Sequence, residues 1–146
     1  MTDFINDLIK YIDAQFFADT HFTEKPRGYY AYQLGVIPEN KPYYVVEVLG
    51  DTDSREDFSA VVSHSVDLQI TIYGTKTSSN SAMQNAMSLA DRFEDFLTNY
   101  KNKANSVVSM RKNMRTTPYT FFDGSKSYTV TLRYSVELAT PYVSVN

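Results

Sequence analysis

Between Tyr128 and Ala139 two kinds of residue alternate without a break. Tyr128, Val130, Leu132, Tyr134, Val136 and Leu138 are apolar, and Thr129, Thr131, Arg133, Ser135, Glu137 and Ala139 stand between them. Successive side chains of a strand point to opposite faces, so this pattern predicts an antiparallel-type strand with one apolar and one wet face. At roughly 3.3 Å per residue it spans on the order of 40 Å, about twice a typical strand. Either a bulge bends it or its end reaches beyond the domain toward a neighbour, and Pro141 closes it. Val66, Leu68, Ile70 and Ile72 alternate in the same way with Asp67, Gln69, Thr71 and Tyr73, and Gly74 is read as the end of that strand.

Two such apolar faces need cover, and two helical stripes supply it. Phe4, Ile5, Leu8, Ile9, Ile12 and Phe16 share one face of a helix predicted over Asp3 to Phe17, with Thr2 as its N-cap. Ser81 and Gln84 fit a capping box that opens a longer helix, reaching about Tyr100. Its apolar face comprises Ala82, Met83, Ala86, Leu89, Ala90, Phe93, Phe96, Leu97 and Tyr100. The small residues come first, so the first half is expected to approach the sheet more closely. Further strands are expected at Tyr29–Leu34, Tyr43–Leu49 and Val107–Met114, the last with Val108, Met110 and Met114 on one face. A turn is expected at Asp123-Gly124. The chain, residues 1–146, therefore reads as a single α+β domain: a mostly antiparallel sheet with an N-terminal helix and one long central helix on one face.

Composition narrows the function classes. With 42% hydrophobic and 21% charged residues the chain is ordinarily globular. A net charge of −3 argues against a surface built to hold nucleic acid. No cysteine is present, which removes disulfides, thiolate nucleophiles and cysteine-based zinc sites. The N-terminus lacks a basic lead, Thr2 precludes myristoylation, and apolar runs such as Tyr43–Val46 are too short to cross a bilayer. No membrane association is expected, and a cytoplasmic protein is, unless it leaves inside a particle. The 12 Tyr and 9 Phe without Trp suit surfaces buried on assembly, and equally suit a β-rich fold.

No catalytic constellation emerges, and no cofactor is implied. His21 and His64 lack HxxxH or HExxH spacing and read as surface or satisfied residues. The five glycines make no phosphate loop, and Gly124-Ser125-Lys126-Ser127 reads as a hairpin turn. The run Asp51 to Asp57 starts like a calcium loop but has Arg55 at position 5, Glu56 in place of the turn glycine and Val62 in place of the terminal glutamate. A solvated loop is the expectation there, with a weak cation site as the alternative. No nucleic-acid-binding module is evident.

Charge is unevenly spread. Glu47 to Asp67 holds six acids against Arg55, whereas Phe96 to Phe122 holds five bases and no acid. These are two solvated faces, or they are the two sides of a head-to-tail interface. In the second case Asp51, Asp53, Glu56 and Asp57 of one subunit face Lys101, Lys103, Arg111, Lys112 and Arg115 of the next.

The order of elements resembles that of tail-terminator and minor-capsid proteins from the head–tail region of long-tailed phages. The shared features are the N-terminal helix, the strand string Leu68 to Gly74, the long helix with a polar lead-in from Ser78 to Ser81, and the terminal strand pair. The resemblance implies a structural role without catalysis: a hexameric ring that caps the tail tube, stops its growth and docks to the head connector. It also implies a channel through which DNA passes without specific binding, and a place first in the host cytoplasm and then at the head–tail junction of the virion. A head-completion or tail tube protein, and a small-molecule-binding α+β domain with aromatics lining a pocket, are the alternatives.

Overall fold

The two alternating segments pair with each other. The computed structural model describes residues 2–31, 41–55, 61–77, 80–120, 127–139 and 143–145. Its elements run α1 (Thr2–Ala18), β1 (Arg27–Tyr30), β2 (Tyr43–Arg55), β3 (Val61–Thr75), α2 (Ala82–Lys103), β4 (Val107–Arg115) and β5 (Ser127–Ala139). β3 and β5 form an unbroken antiparallel register from Ser63 opposite Ala139 to Thr75 opposite Ser127. The length of β5 therefore needs neither a bulge nor an overhang, because its partner is as long. The five strands lie in the order β1-β2-β3-β5-β4, with only the β1–β2 pair parallel. This is the α+β architecture expected from the periodicity.

The core sits between the sheet and the helices. Val66, Leu68, Ile70 and Ile72 of β3, with Val130, Leu132, Tyr134, Val136 and Leu138 of β5, are buried under α1 and α2. Phe93 of α2 is fully buried, with its ring 4.8 Å from that of Tyr44 and 6.1 Å from that of Phe16. α1 buries Phe4, Ile5, Leu8, Ile12 and Phe16 as its stripe requires, with Ile9 partly buried and Tyr11 added. It begins with Thr2 as its first helical residue, not as the cap before it.

α2 opens with the capping box: the Gln84 N–H donates to Ser81 Oγ, and the Ser81 N–H donates to Gln84 Oε1. Its apolar face is the expected one save for Met83, which is 43% exposed. Ala82 and Ala86 form the row that meets the sheet, and Met83 and Met87 stand about 100° round the helix from it.

Gly74 lies inside β3 opposite Tyr128 and does not end the strand. It sits where the alanine-rich start of α2 comes closest, so a Cβ there would lie 2.3 Å from the Ala86 nitrogen. Close approach of another backbone explains this strand glycine.

Four other expectations change. The acidic stretch is not a loop as far as it is described: Asp51 to Arg55 belong to β2 and pair with β3 as far as Arg55 opposite Val61. Ladder hydrogen bonds from β3 outweigh the low strand preference of Gly and Asp. In β4 the register shifts between Val107 and Ser109, so Val107 is buried and Val108 is 54% exposed. The wet face is covered at one end, where Tyr119 exchanges backbone hydrogen bonds with Thr129, and Thr129 and Thr131 are buried. The strand expected at Tyr29–Leu34 is Arg27–Tyr30, and positions 32–34 lie outside the described residues, as do Glu56, Asp57, Asp123-Gly124 and Pro141.

One buried carboxylate ties distant segments together. Asp7 of α1 accepts from the Tyr100 hydroxyl (3.0 Å), the Ser144 hydroxyl (2.6 Å) and the Val145 N–H (3.3 Å). Ser106 Oγ holds the same segment by accepting the Val143 N–H at 2.7 Å.

Two substitutions test this packing. Phe93→Ala is expected to cost about 3–5 kcal/mol in denaturant melts, and a loss below about 1 kcal/mol would place the ring outside the core. Gly74→Ala is expected to cost about 1–3 kcal/mol in the same melts by forcing β3 and α2 apart.

Candidate assembly surface

Strand order puts the two charged segments at opposite edges of the sheet. β1 covers β2 only from Tyr43 to Val46. From Glu47 to Arg55 the outer edge of β2 carries no further strand among the described residues. β4 is the edge strand on the other side. Asp51 is exposed on β2, and Asp53 stands opposite His64 in the β2–β3 register.

The basic residues are partly engaged within the chain. Lys112 Nζ lies 2.6 Å from Glu94 Oε1, and Arg115 Nη1 lies 2.7 Å from both Asp91 and Glu94 of α2. Exposed Lys103 stacks its ammonium 5.7 Å from the Tyr11 ring centre. Arg111 and Lys101 are exposed, and Arg111 Nε donates to its near neighbour Asn113, at 3.2 Å. The basic edge that a neighbour could meet is therefore narrower than a count of charges suggests.

The helix-free face of the sheet carries a polar ladder. Arg133 donates to Gln69 and Gln69 to Glu47, at 2.9 and 2.7 Å, across β5, β3 and β2. Asn113 donates to Ser135 and Ser135 to Asp67, at 2.6 and 3.1 Å, across β4, β5 and β3. Toward Tyr43 the same face turns aromatic: the Tyr43 and Tyr73 rings stack at 4.2 Å, and Tyr29 meets Tyr43 edge-on at 6.3 Å. Burial, helped by Tyr73, pushes the Tyr43 hydroxyl up to about 12. Much of the tyrosine excess is thus accounted for inside the subunit, since Tyr11, Tyr44, Tyr100 and Tyr134 are also buried there.

β1 is held at its edge by a compact polar node. Asp13 Oδ1 of α1 accepts the Gly28 N–H at 2.9 Å and the Tyr44 hydroxyl at 2.7 Å. Gly28 lies against the phenol end of Tyr44, so a Cβ there would sit 2.2 Å from Tyr44 Cζ. Burial raises the Asp13 carboxyl above its ordinary 3.8, while the hydrogen bonds from Tyr44 and Gly28, and the Arg27 charge, pull it back.

The histidines do not meet. His64 lies near the start of β3, with Nε2 3.5 Å from Asp51, whereas His21 lies with Thr75, at the other end of β3, on a cleft of about 590 Å³. Phe22, Glu24, Lys76 and Asn85 also line that cleft. No group of three metal-ligating side chains occurs among the described residues. None of their helices is long and apolar enough to cross a membrane.

No protein-family model matches the chain, and no match is found among curated proteins.

Three features of this surface escape a reading of the sequence. Glu94 sits on the polar side of α2 with nothing to single it out as the partner of Lys112 and Arg115. Leu49 and Val108 look like ordinary strand residues, yet both stand exposed at register shifts.

Tyr44→Phe tests the edge node. It leaves a desolvated carboxylate one donor short, so it is expected to cost about 1–3 kcal/mol at neutral pH. Without that donor the folded-state pKa of Asp13 rises further. The penalty should therefore shrink as pH falls through the raised pKa toward 3.8, where the carboxyl is protonated. Urea melts across that range read the slope, and a pH-independent penalty would separate Tyr44 from Asp13.

Proposed function

We propose that this chain is a structural subunit of a phage head–tail junction, a tail-terminator-type protein that assembles into a ring. The observation that carries the reading is the segregation of charge onto opposite sheet edges, acids on β2 and bases on β4. A self-complementary dimer places one patch on both subunits, whereas unlike patches on opposite sides favour head-to-tail association, which closes into a ring when the rotation permits. The order of elements supports the phage assignment, and from the resemblance follow six subunits, a tail tube on one side and a head connector on the other. DNA would pass the central channel without specific contacts, in keeping with the net charge of −3.

Individual exposed ion pairs contribute about 0–1 kcal/mol, so the charges set register and encounter rate while apolar contacts supply most of the affinity. Association measured by light scattering should therefore weaken as salt rises. Asp51→Lys with Asp53→Lys should impair it, and adding Arg111→Glu should restore it in part. Lys112 is the poorer partner for such a swap because Glu94 of its own chain holds it. Wild-type assembly by the Asp51→Lys, Asp53→Lys variant at low salt would refute the charge-matched interface.

The cleft beside His21 favours one rival, a small-molecule-binding domain, since its volume falls in the range of ligand pockets. A stable monomer whose melting temperature rises with a bound metabolite would support that reading instead.

A further inference from the structure

Among the described residues the outer edges of part of β2 and all of β4 carry no further strand. We propose that β2 from Glu47 to Asp51 pairs antiparallel with Val107 to Arg111 of β4 in a second copy, so that the sheet continues from subunit to subunit. This rests on the assembly reading above and names its contact.

An open edge presents a row of backbone N–H and C=O groups, a template for another strand. The free stretch of β2 begins at Glu47, and β4 opens with five residues, Val107–Arg111, ahead of its second register shift. Direction also fits. β2 is antiparallel to β3, β3 to β5 and β5 to β4, so β2 and β4 run oppositely within one subunit. A neighbour generated by rotation about an axis along the strands keeps its strand directions, and its β4 arrives antiparallel to β2. That is the slightly more stable ladder.

Charge selects which edges meet. The free part of β2 holds Glu47, Asp51 and Asp53 against Arg55, and β4 holds Arg111, Lys112 and Arg115 with no acid. Pairing β2 with β2, or β4 with β4, sets like charges across the ladder, which destabilises it. Pairing β2 with β4 sets Glu47 against Arg111, the β4 base that α2 does not hold with an ion pair among the described residues.

Each edge also has a register shift beside an exposed apolar residue: Leu49, 50% exposed, and Val108, 54% exposed. Glu47 and Arg111 both lie on the helix-free face, in register with Gln69 and Ser135. Setting Glu47 opposite the partner's Arg111 brings the two shifts side by side and ends the ladder before Tyr43–Val46, which β1 covers. The partner's β4 leaves the ladder at its second register shift, between Lys112 and Met114. Leu49 then stands opposite Ser109 and Val108 opposite Gly50, one position apart at the centre of that ladder.

The cysteine-free chain makes the test clean. Leu49→Cys and Val108→Cys are made singly, mixed in equal amounts and treated with a short bismaleimide. Light scattering is recorded on the same samples. The expected result is a dimer containing one of each variant, formed in the mixture, absent from either variant alone and lost in urea. Glu47→Cys mixed with Arg111→Cys should behave alike, which guards against a local disturbance at either bulge. Association without the mixed cross-link in both pairs would overturn the strand pairing while sparing the assembly reading. A cross-link within one variant alone would show like-edge pairing and overturn it as well. A monomer at every concentration would overturn both.

Discussion

The unbroken register of β3 against β5 is the constraint on which the other layers depend. It lines up nine buried side chains on one face, and α2 has no other apolar floor. β2 hangs on the free side of β3, and β4 hangs on the free side of β5. A slip of one residue would turn every side chain of the slipped strand over. Arg133 and Glu137 would then face the helices, and Leu132 and Val136 would face water. The irregularities fall where that cost is smaller: both β2–β3 and β4–β5 contain register shifts, and β3–β5 contains none. Bulges on the flanking strands bend the periphery without disturbing the central pair.

The helix layer follows from side-chain size along α2. Its early turns present Ala82, Ala86 and Ala90, so backbone meets backbone at Gly74. Its later turns present Phe93, Phe96 and Tyr100, which fill a deeper space shared with Phe4, Tyr11 and Phe16 of α1. The helix therefore rides low at one end and high at the other. Aromatic rings meeting edge-on or tilted fill the wedge between, and these geometries suit their quadrupoles.

Much of this was legible in the sequence because the signals were periodic. The alternation through Leu68 and Leu132 and the stripe through Ala86 and Phe93 each recur often enough to fix a face, and Ser81 with Gln84 marked a helix start. What failed was local inference from residue preference. Asp51 and Gly50 favour turns, yet pairing with β3 supplied ladder bonds that no local pattern encodes. Gly74 looked like punctuation because its reason, the Ala86 backbone, lies in another element. Val108 followed the strand period on paper, and a bulge shifted the period by one. The charged surface was legible only as composition. The sequence showed where charges lie along the chain, but not that Asp91 and Glu94 on α2 neutralise two of the bases. The strand order that sends the remainder to opposite edges was equally out of reach.

The clip at Asp7 has a consequence in time. Its partners Ser144 and Val145 lie 137 and 138 residues further on. At ribosomal rates of about 5–20 residues per second, α1 waits on the order of ten seconds before the groups that satisfy its buried carboxylate exist. Over that interval, seating α1 fully would bury the Asp7 carboxyl without the Ser144 hydroxyl and the Val145 N–H. The full set of bonds that the folded Asp7 carboxyl makes is therefore complete only once β5, whose pairing completes the floor beneath the helices, has also been made.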